Sequence, residues 1–276
     1  MKELIIGGSG FLGSKLANSD CMKEASYTFF NNKTPFMSKD EDRCSRMDLR
    51  NKNEVLRTLK AIKPSLIIHC GGITDTDFCE KEKQYSWDVN VEGVENLMRY
   101  YDGKIIYFST DYVFDGNNPS YDEESKPNPV NYYGITKLQA EKMVLKREEN
   151  LVIRVSGLFG INTHNDKFLN KIRKEKIEAC TNLVSSPTYI DDIVKNIPEL
   201  VQLSSIVHLS CQEGFSRYDF LNTCVKYLSL STTVVPKKYD QEQSIAKRPY
   251  NTTMVSLRNV KYTPVKIAFK EMGESL

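Results

Sequence analysis

The sequence predicts an α/β fold, a doubly wound parallel sheet with a smaller C-terminal lobe. Two observations support this prediction. Short apolar runs alternate with helical patterns through the first half of the chain, as they do in β-α-β units. The 276 residues, 40% hydrophobic and 27% charged, are enough for one large α/β domain with an appended lobe.

The individual elements follow from the hydrophobic pattern and its breakers. Strands are predicted from apolar runs at residues 4–6, 27–30, 66–69, 105–109 and 152–155. Helices are predicted from periodic apolar positions at residues 11–17, 52–62, 85–101 and about 133–147. The alternation decays after Ser156, which predicts a first domain at 1–156 and a lobe at 157–276. Part of 184–201 is expected to return to the first domain.

Charge and composition exclude several classes of function. Lys and Arg total 38 against 36 acidic residues, so no basic excess predicts binding to nucleic acid or to an anionic membrane. No apolar run has the length of a membrane span, and the first residues resemble a strand rather than a signal segment, which predicts a cytoplasmic protein. Seven cysteines without regular spacing disfavour a disulfide framework, and the three scattered histidines predict no metal site.

A glycine-rich turn directly follows the first predicted strand and opens a helix. Glycines there let the backbone approach a pyrophosphate, which the free N–H groups of the helix then bind. The spacing fits both G-x-G-x-x-G and G-x-x-G-x-x-G, and the alternative to a Rossmann-type dinucleotide site is a structural turn. The predicted cofactor contacts in this turn are Gly7, Ser9, Gly10, Phe11, Leu12 and Gly13.

The residues after the second strand indicate the type of cofactor. A carboxylate there would bind the 2′-hydroxyl of NAD, but the chain has Asn31 followed by Lys33 and no acidic residue. This favours NADP(H), with NAD(H) as the second option, and it makes both residues candidate cofactor contacts. The alternative is that Lys33 is a solvated loop lysine.

Tyr133 and Lys137 form the candidate catalytic pair. Residues four apart on a helix share a face, and a lysine beside a phenol favours the phenolate that acid–base catalysis needs. The sequence contains three such pairs, but Tyr100/Lys104 spans a turn and Tyr262/Lys266 spans a proline. The helical pair is therefore the one expected to carry chemistry.

Polar residues also end the strand at 105–109. Ser109, Thr110 and Asp111 lie at its carboxyl end, where ligands of open parallel sheets bind. A hydroxyl at this place can hold a reacting oxygen for Tyr133. Taken alone, such a run is more often a loop start or a helix cap. In combination with the other two signals, it is expected to belong to the site.

These motifs resemble the extended short-chain dehydrogenase/reductase family and, within it, most closely the dTDP-4-dehydrorhamnose reductase family. The resemblance rests on residues 108–116 (FSTDYVFDG) and 129–141 (PVNYYGITKLQAE), with shorter matches at 186–189 and 248–251. It extends from Ile5 to about Leu257. The reductases often carry Trp where this chain has Gly157, so the sugar and its nucleotide stay open.

The resemblance implies roles for individual residues. Thr110, Tyr133 and Lys137 would be the catalytic trio. Further cofactor contacts would be Asp48 and Leu49 at the adenine, Cys70, Gly71 and Gly72 at the ribose and pyrophosphate, and Thr74, Asn90 and Ser109 in the same pocket. Substrate contacts would be Thr110, Asp111, Phe114, Thr188 and Arg248.

The resemblance further implies an NAD(P)H-dependent reductase of a nucleotide-linked 4-keto-6-deoxy sugar, with Tyr133 as proton donor. Homodimers are common in the family. Two alternatives stay open. A nucleotide-sugar epimerase or dehydratase would share the fold and the Tyr–Lys pair but would retain NAD through turnover. A non-enzymatic NADP-binding regulatory subunit, such as that of methionine adenosyltransferase, resembles these reductases as well.

Overall fold

The computed structural model describes residues 2–31, 41–162, 164–165 and 167–276. Its main sheet has seven parallel strands in the order β3-β2-β1-β4-β5-β6-β9. These strands are β1 (Glu3–Ile6), β2 (Ser26–Phe29), β3 (Cys44–Arg46), β4 (Leu66–His69), β5 (Lys104–Thr110), β6 (Leu151–Val155) and β9 (Ser205–His208). The order reverses between β1 and β4, which confirms the predicted doubly wound sheet and places a crevice at the carboxyl ends of these strands.

Helices cover both faces of this sheet. The described residues form α1 (Phe11–Ala17), α2 (Lys52–Ile62), α3 (Thr76–Lys81), α4 (Lys83–Trp87), α5 (Gly93–Tyr100), α6 (Tyr132–Val144), α7 (Lys167–Ile172), α8 (Ile190–Leu200), α9 (Arg217–Tyr227) and α10 (Val265–Glu274). α1 and α8 pack on one face through a shared apolar cluster, and α2, α5 and α6 pack on the other. Both faces of the parallel strands are therefore buried, as their continuous apolar runs require.

The predicted elements agree closely with the structure in the first half of the chain. Helices α1 and α2 have the predicted bounds, and each predicted strand lies within one residue of an observed one. The helix predicted at 85–101 begins two residues earlier and contains a π-helical turn at Asp88–Glu92. Two strands of the main sheet were missed, β3 and β9, and the strands of the lobe were not predicted. β3 has only three residues, all partly or fully exposed, so its apolar signal is weak.

The lobe has its own small sheets and its own core. β8 (Val184–Ser185) lies between β10 (Phe215–Ser216) and β12 (Asn251–Thr252), while β7 (Lys176–Cys180) pairs with β11 (Thr233–Lys237). Phe159, Phe220 and Phe269 meet at the centre of the lobe, with ring centroids 5.1–5.5 Å apart. α8 and β9 pack with the main sheet instead. The boundary at 156 and 157 stays a prediction.

Polar contacts join the lobe to α1. Asn162 donates from Nδ2 to Phe11 O at 2.7 Å and to Ser14 Oγ at 2.8 Å. Lys15 donates to Ile161 O at 3.0 Å. In the part of the chain that the structure describes, no helix combines the length and apolar character of a membrane span. The same residues contain no group of three or more acidic, His or Cys side chains arranged to hold a metal ion.

Candidate active site

The glycine turn after β1 brings two loops into direct contact. Gly7 has φ +84°, and a Cβ there would lie 2.7 Å from the Gly71 backbone after β4. A Cβ on Gly13 would lie 2.1 Å from Gly7 O, so position 13 in α1 also permits no side chain. The turn thus carries no side chain at positions 7 and 13, at the switch point of the sheet, as close approach of a pyrophosphate requires.

Two polar features at this place are available to a ligand. Gly10 precedes α1, and none of the described side chains caps this helix, which leaves the N–H groups of its first turn for an anion. At the carboxyl end of β5, the buried Ser109 Oγ has no hydrogen-bond partner within the described residues. An orphaned buried hydroxyl is costly unless something binds it. Both observations fit the predicted dinucleotide cofactor.

The loop after β4 is held from two sides. His69 Nδ1 accepts a hydrogen bond of 3.3 Å from Gly71 N–H, and burial lowers the pKa of His69 to about 3, which keeps it neutral. Asn90, in the π-helical turn, accepts from Ile73 N–H at 2.8 Å and donates to Ile73 O at 3.0 Å. Its Nδ2 also donates to Thr136 Oγ1 at 3.1 Å. Asn90 therefore fixes the loop from inside the protein.

The other residues of this loop face outward to different degrees. Cys70 is half-buried, Thr74 is exposed, and Gly72 has φ +144° with its Cβ position 2.9 Å from Asn90 Oδ1. Burial raises the pKa of the Cys70 thiol, so it is a poor nucleophile. Their roles as cofactor contacts stay predictions.

The region predicted to bind the adenine contains stacked cations. Arg50 binds Asp48 through three side-chain hydrogen bonds of 3.0, 3.2 and 2.7 Å, and its guanidinium lies over the rings of both Phe30 and Tyr85. The side-chain hydrogen bond from Arg50 lowers the pKa of Asp48. Arg46 also lies over the Phe30 ring, at 5.2 Å from its centroid, with its side chain 54% exposed. The sequence did not single out either arginine.

Three further predicted contacts lie near this region. Leu49 is buried in the core and its carbonyl accepts from Asn96 Nδ2 at 2.8 Å. Asn31 is exposed, two residues after the end of β2. Lys33, on which the cofactor argument depended, lies outside the described residues.

Tyr133 and Lys137 lie on the first turns of α6, one turn apart. Asn131 caps this helix by accepting from Gly134 N–H at 2.9 Å. Lys137 is buried, and its Nζ lies 4.0 Å from the centroid of the Tyr107 ring. Burial lowers the pKa of Lys137 to about 7. The ammonium can therefore lose its proton near neutral pH.

The sequence predicted that Lys137 would favour the phenolate of Tyr133, but the structure holds this phenol in its neutral form. Burial raises its pKa, and the nearby charge of Asp111 raises it further, while an interaction with the Thr110 side chain acts in the opposite direction. The Tyr112 ring packs edge-on against it, with centroids 6.1 Å apart. The structure thus brings Thr110, Tyr133 and Lys137 to the carboxyl end of β5.

Asp111 follows Thr110 in the chain, and its carboxylate has three hydroxyl partners. Its carboxylate accepts hydrogen bonds from Thr110 Oγ1 at 3.1 Å, Ser156 Oγ at 2.7 Å and Thr252 Oγ1 at 2.5 Å. Burial raises the pKa of Asp111, whereas the three hydroxyls lower it. Ser156 and Thr252 had no predicted role, because only the fold brings them to Asp111.

The predicted substrate contacts lie in different surroundings. Phe114 is buried and stacks on Tyr121 at 4.2 Å. The Thr188 hydroxyl, also buried, donates to Leu209 O at 2.7 Å and accepts from Ser156 N–H at 3.0 Å. Both side chains support the fold around the site, and their contact with substrate stays a prediction.

Two arginines lie near Tyr112, whose ring packs against Tyr133. Arg248 donates to Asp77 Oδ2 at 2.9 Å and to Thr76 Oγ1 at 3.2 Å. Arg217, at the start of α9, donates to Tyr112 Oη at 2.7 Å. Arg217 was missed in the sequence, since it lies 105 residues from its partner and in no motif.

The chain is similar to proteins of two named kinds. A model of the family described as "RmlD substrate binding domain" matches residues 1–271. Methionine adenosyltransferase 2 subunit beta of Danio rerio is 28% identical, over 98% of this chain and 89% of that protein. dTDP-4-dehydrorhamnose reductase of Aggregatibacter actinomycetemcomitans is 26% identical, over 76% of this chain and 79% of that protein.

A solved structure shows the same architecture over the whole chain. The crystal structure of dTDP-4-dehydrorhamnose reductase from Bacillus anthracis in complex with NADP matches with a TM-score of 0.84 and 25% sequence identity. The match covers 100% of this chain and 99% of that chain. The sheet order and the attached lobe are therefore those of a known fold.

Proposed function

The chain belongs to the RmlD substrate binding domain family, and from this premise we propose that it is an NADPH-dependent reductase. Its substrate would be a nucleotide-linked 4-keto-6-deoxy sugar. One observation carries the proposal: Tyr133 and Lys137 share a buried helix face beside Thr110, at the carboxyl ends of the strands where the glycine turn also lies.

The residues present suit carbonyl reduction. When bound, NADPH supplies a hydride to the carbonyl carbon. Tyr133 gives its phenolic proton to the carbonyl oxygen, so that the product is a neutral alcohol. Lys137, one turn along the same helix face, stabilises the phenolate when it carries its proton. The high pKa of Tyr133 in the free protein keeps the proton on the phenol until a substrate arrives.

Three observations support NADPH rather than NADH. The similar reductase from Bacillus anthracis was solved with NADP. No carboxylate follows β2 directly, where it would repel a 2′-phosphate. Arg46 and Arg50 stack on Phe30 beside this position, and Arg46 is half-exposed. A guanidinium with free donors is well suited to a phosphate.

A second candidate function is a regulatory subunit that binds NADP without consuming it. It is favoured by the similarity to methionine adenosyltransferase 2 subunit beta of Danio rerio across nearly the whole chain. Such a subunit would bind a synthetase partner, and its cofactor would serve structure or affinity. An epimerase or dehydratase of this fold would also show no net consumption of cofactor.

The discriminating experiment follows NADPH absorbance with purified protein and dTDP-4-keto-6-deoxyhexose, and repeats the assay with NADH. Steady oxidation that depends on the sugar supports the reductase, and the coenzyme ratio measures the preference for NADPH. Binding of NADPH without consumption, across several sugar nucleotides, would overturn the reductase proposal. Co-purification with a methionine adenosyltransferase would then support the regulatory subunit.

A further inference from the structure

The carboxylate of Asp111 joins three parts of the protein that are distant in sequence. Its donors are Thr110 at the end of β5, Ser156 directly after β6 and Thr252 in the lobe strand β12. Asp111, Ser156 and Thr252 are 4%, 2% and 1% exposed, so water does not compete for these bonds. A buried carboxylate is costly unless such donors compensate its charge.

The directions of these bonds are fixed by chemistry. An ionised carboxylate can only accept, so each of the three hydroxyls donates its single proton to Asp111. Thr110 Oγ1 in turn accepts from Tyr112 N–H at 3.2 Å. Its remaining lone pair is the part of the hydroxyl that is left for the reacting oxygens. With its proton bound to Asp111, Thr110 cannot donate to a carbonyl oxygen, which only accepts.

We propose that Asp111 is a positioning residue, which orients Thr110 as an acceptor and couples this orientation to the lobe through Thr252. The proposal rests on the reductase function and refines the role of Thr110 within it. After the reaction, the free lone pair of Thr110 accepts from the new alcohol. The carbonyl oxygen therefore receives its hydrogen bond, and then its proton, from Tyr133.

The coupling to the lobe follows from the position of Thr252. β12 pairs with β8, whereas Thr110 belongs to the main sheet. A displacement of β12 would remove one donor from Asp111. The Asp111 carboxylate would then become a stronger acceptor in its hydrogen bond from Thr110. The Thr110 hydroxyl is therefore fully oriented only when the lobe holds Thr252 in hydrogen-bond contact with Asp111.

Three variants and a control test this proposal. Asp111→Asn keeps nearly the same side-chain shape but replaces one acceptor oxygen by an NH₂ donor, so that some of the hydrogen bonds must reverse their direction. Thr252→Val and Ser156→Ala each remove one donor without touching Thr110. Thr253→Val is the matched control, because it makes the same change one residue away and its hydroxyl donates to Asn251 Oδ1 instead.

The kinetic result expected is a loss in kcat of about tenfold for Thr252→Val and about 10- to 100-fold for Asp111→Asn, as for a lost hydrogen bond to a charged group. The Kd for NADPH, measured by nucleotide fluorescence, should stay within about twofold. Wild-type kcat in all variants that fold would overturn the proposal. Equal losses in Thr253→Val and Thr252→Val would do so as well, since they would indicate a merely structural effect.

A pH profile separates positioning from packing. The groups that face Asp111 are Tyr133 on α6, Tyr112 beside it and Arg217 on α9. Burial raises the pKa of Asp111, so this carboxylate should take up a proton on acidification. The Thr110 hydroxyl would then no longer be held by its hydrogen bond to Asp111, and kcat should fall. In Asp111→Asn, kcat should be low but should lack this acid limb. An unchanged acid limb would contradict the proposal.

A measurement without turnover keeps the proposal separate from the reductase function. In protein labelled with 3-fluorotyrosine, the ¹⁹F resonance of Tyr133 is assigned by its absence in Tyr133→Phe. It should shift in Asp111→Asn and Thr252→Val and stay in place in Thr253→Val. If the wild type consumes no NADPH but these shifts occur, only the proposed function fails. If the wild type is active and no shift occurs, only the positioning proposal fails.

Discussion

The side-chain ammonium of Lys137 donates a hydrogen bond of 2.7 Å to the backbone carbonyl of Phe108, two residues before Thr110 on the same strand. This bond holds the head of a buried lysine at the carboxyl end of β5, against the face of the Tyr107 ring. One carbonyl and one ring do not replace the hydration of an ammonium, so burial lowers its pKa to about 7. Burial of Lys137 thus lowers the free energy of unfolding, as expected of a residue whose role is chemical rather than structural.

That cost predicts a pH-dependent stability. The pKa of Lys137 is about 7 in the folded protein and near 10.5 when unfolded, so between these values the unfolded state binds more protons. The free energy of unfolding of the wild type should therefore rise with pH relative to Lys137→Met, by up to about 1.4 kcal/mol per pH unit. Urea denaturation of both proteins at pH 6.5, 7.5 and 8.5 measures this difference. A difference independent of pH would show that Lys137 does not titrate in this range.

Removal of the Tyr133 hydroxyl should abolish most of the activity. We expect Tyr133→Phe to lower kcat by roughly 10² to 10⁴, the contribution of a positioned acid, because phenylalanine has no phenolic proton to give. The Kd for NADPH should be unchanged. Tyr132→Phe, the same change on the preceding residue, should keep wild-type kcat. Full activity of Tyr133→Phe would remove this residue from the mechanism.

The glycine turn should not tolerate a single methyl group at Gly13. The Cβ of Gly13→Ala would lie 2.1 Å from Gly7 O, so the backbone must move, at an expected cost of about 1–3 kcal/mol in unfolding free energy. NADPH affinity should fall with it. Gly273→Ala in α10 is the control, because the atom nearest to its Cβ would lie at an ordinary contact distance of 3.6 Å. This change should stabilise the helix slightly. Denaturation and nucleotide titration of both variants would show whether the two glycines differ as expected.

Arg46 should contribute to the preference for NADPH. Within the described residues its exposed guanidinium has one acidic partner, Glu54, at 3.5 Å, whereas Asp48 binds Arg50 closely. Arg46→Ala should raise the Kd for NADPH by about tenfold, the effect of one charge-assisted hydrogen bond, and leave the Kd for NADH unchanged. Arg57→Ala on the exposed face of α2 serves as the control. Equal changes for the two coenzymes would assign Arg46 a structural role.

The buried pair of Arg154 and Glu141 should be essential to the fold. Their side chains are 2% and 1% exposed and form two hydrogen bonds of 3.0 and 2.8 Å. Arg154→Met alone should cost roughly 3–5 kcal/mol, because it leaves Glu141 buried and unpaired. The double variant Arg154→Met/Glu141→Leu should recover a large part of this loss. Denaturation of the three proteins gives the result, and an additive double variant would contradict it.

Much of the fold could be predicted because its signals are local. The glycine turn, the helix at 52–62 and the Tyr133–Lys137 pair each depend on residues within one or two turns of each other, and their spacing is written in the sequence. A short edge strand such as β3 has no such signal, since it is defined by pairing with β2. The resemblance supplied the family, and the periodic pattern supplied the first half of the sheet.

The sequence by itself determined which residues could do chemistry at the ends of the strands, because motif spacing on one helix or one strand fixes their relative positions. Only the tertiary structure decided the pKa values and the hydrogen-bond partners of these residues. The lowered pKa of Lys137 follows from how deeply α6 packs on β5. The partners of Asp111 come from the residue after β6 and from β12, 45 and 141 residues away. Burial and long-range pairing are properties of the assembled sheet and lobe, and no local pattern contains them.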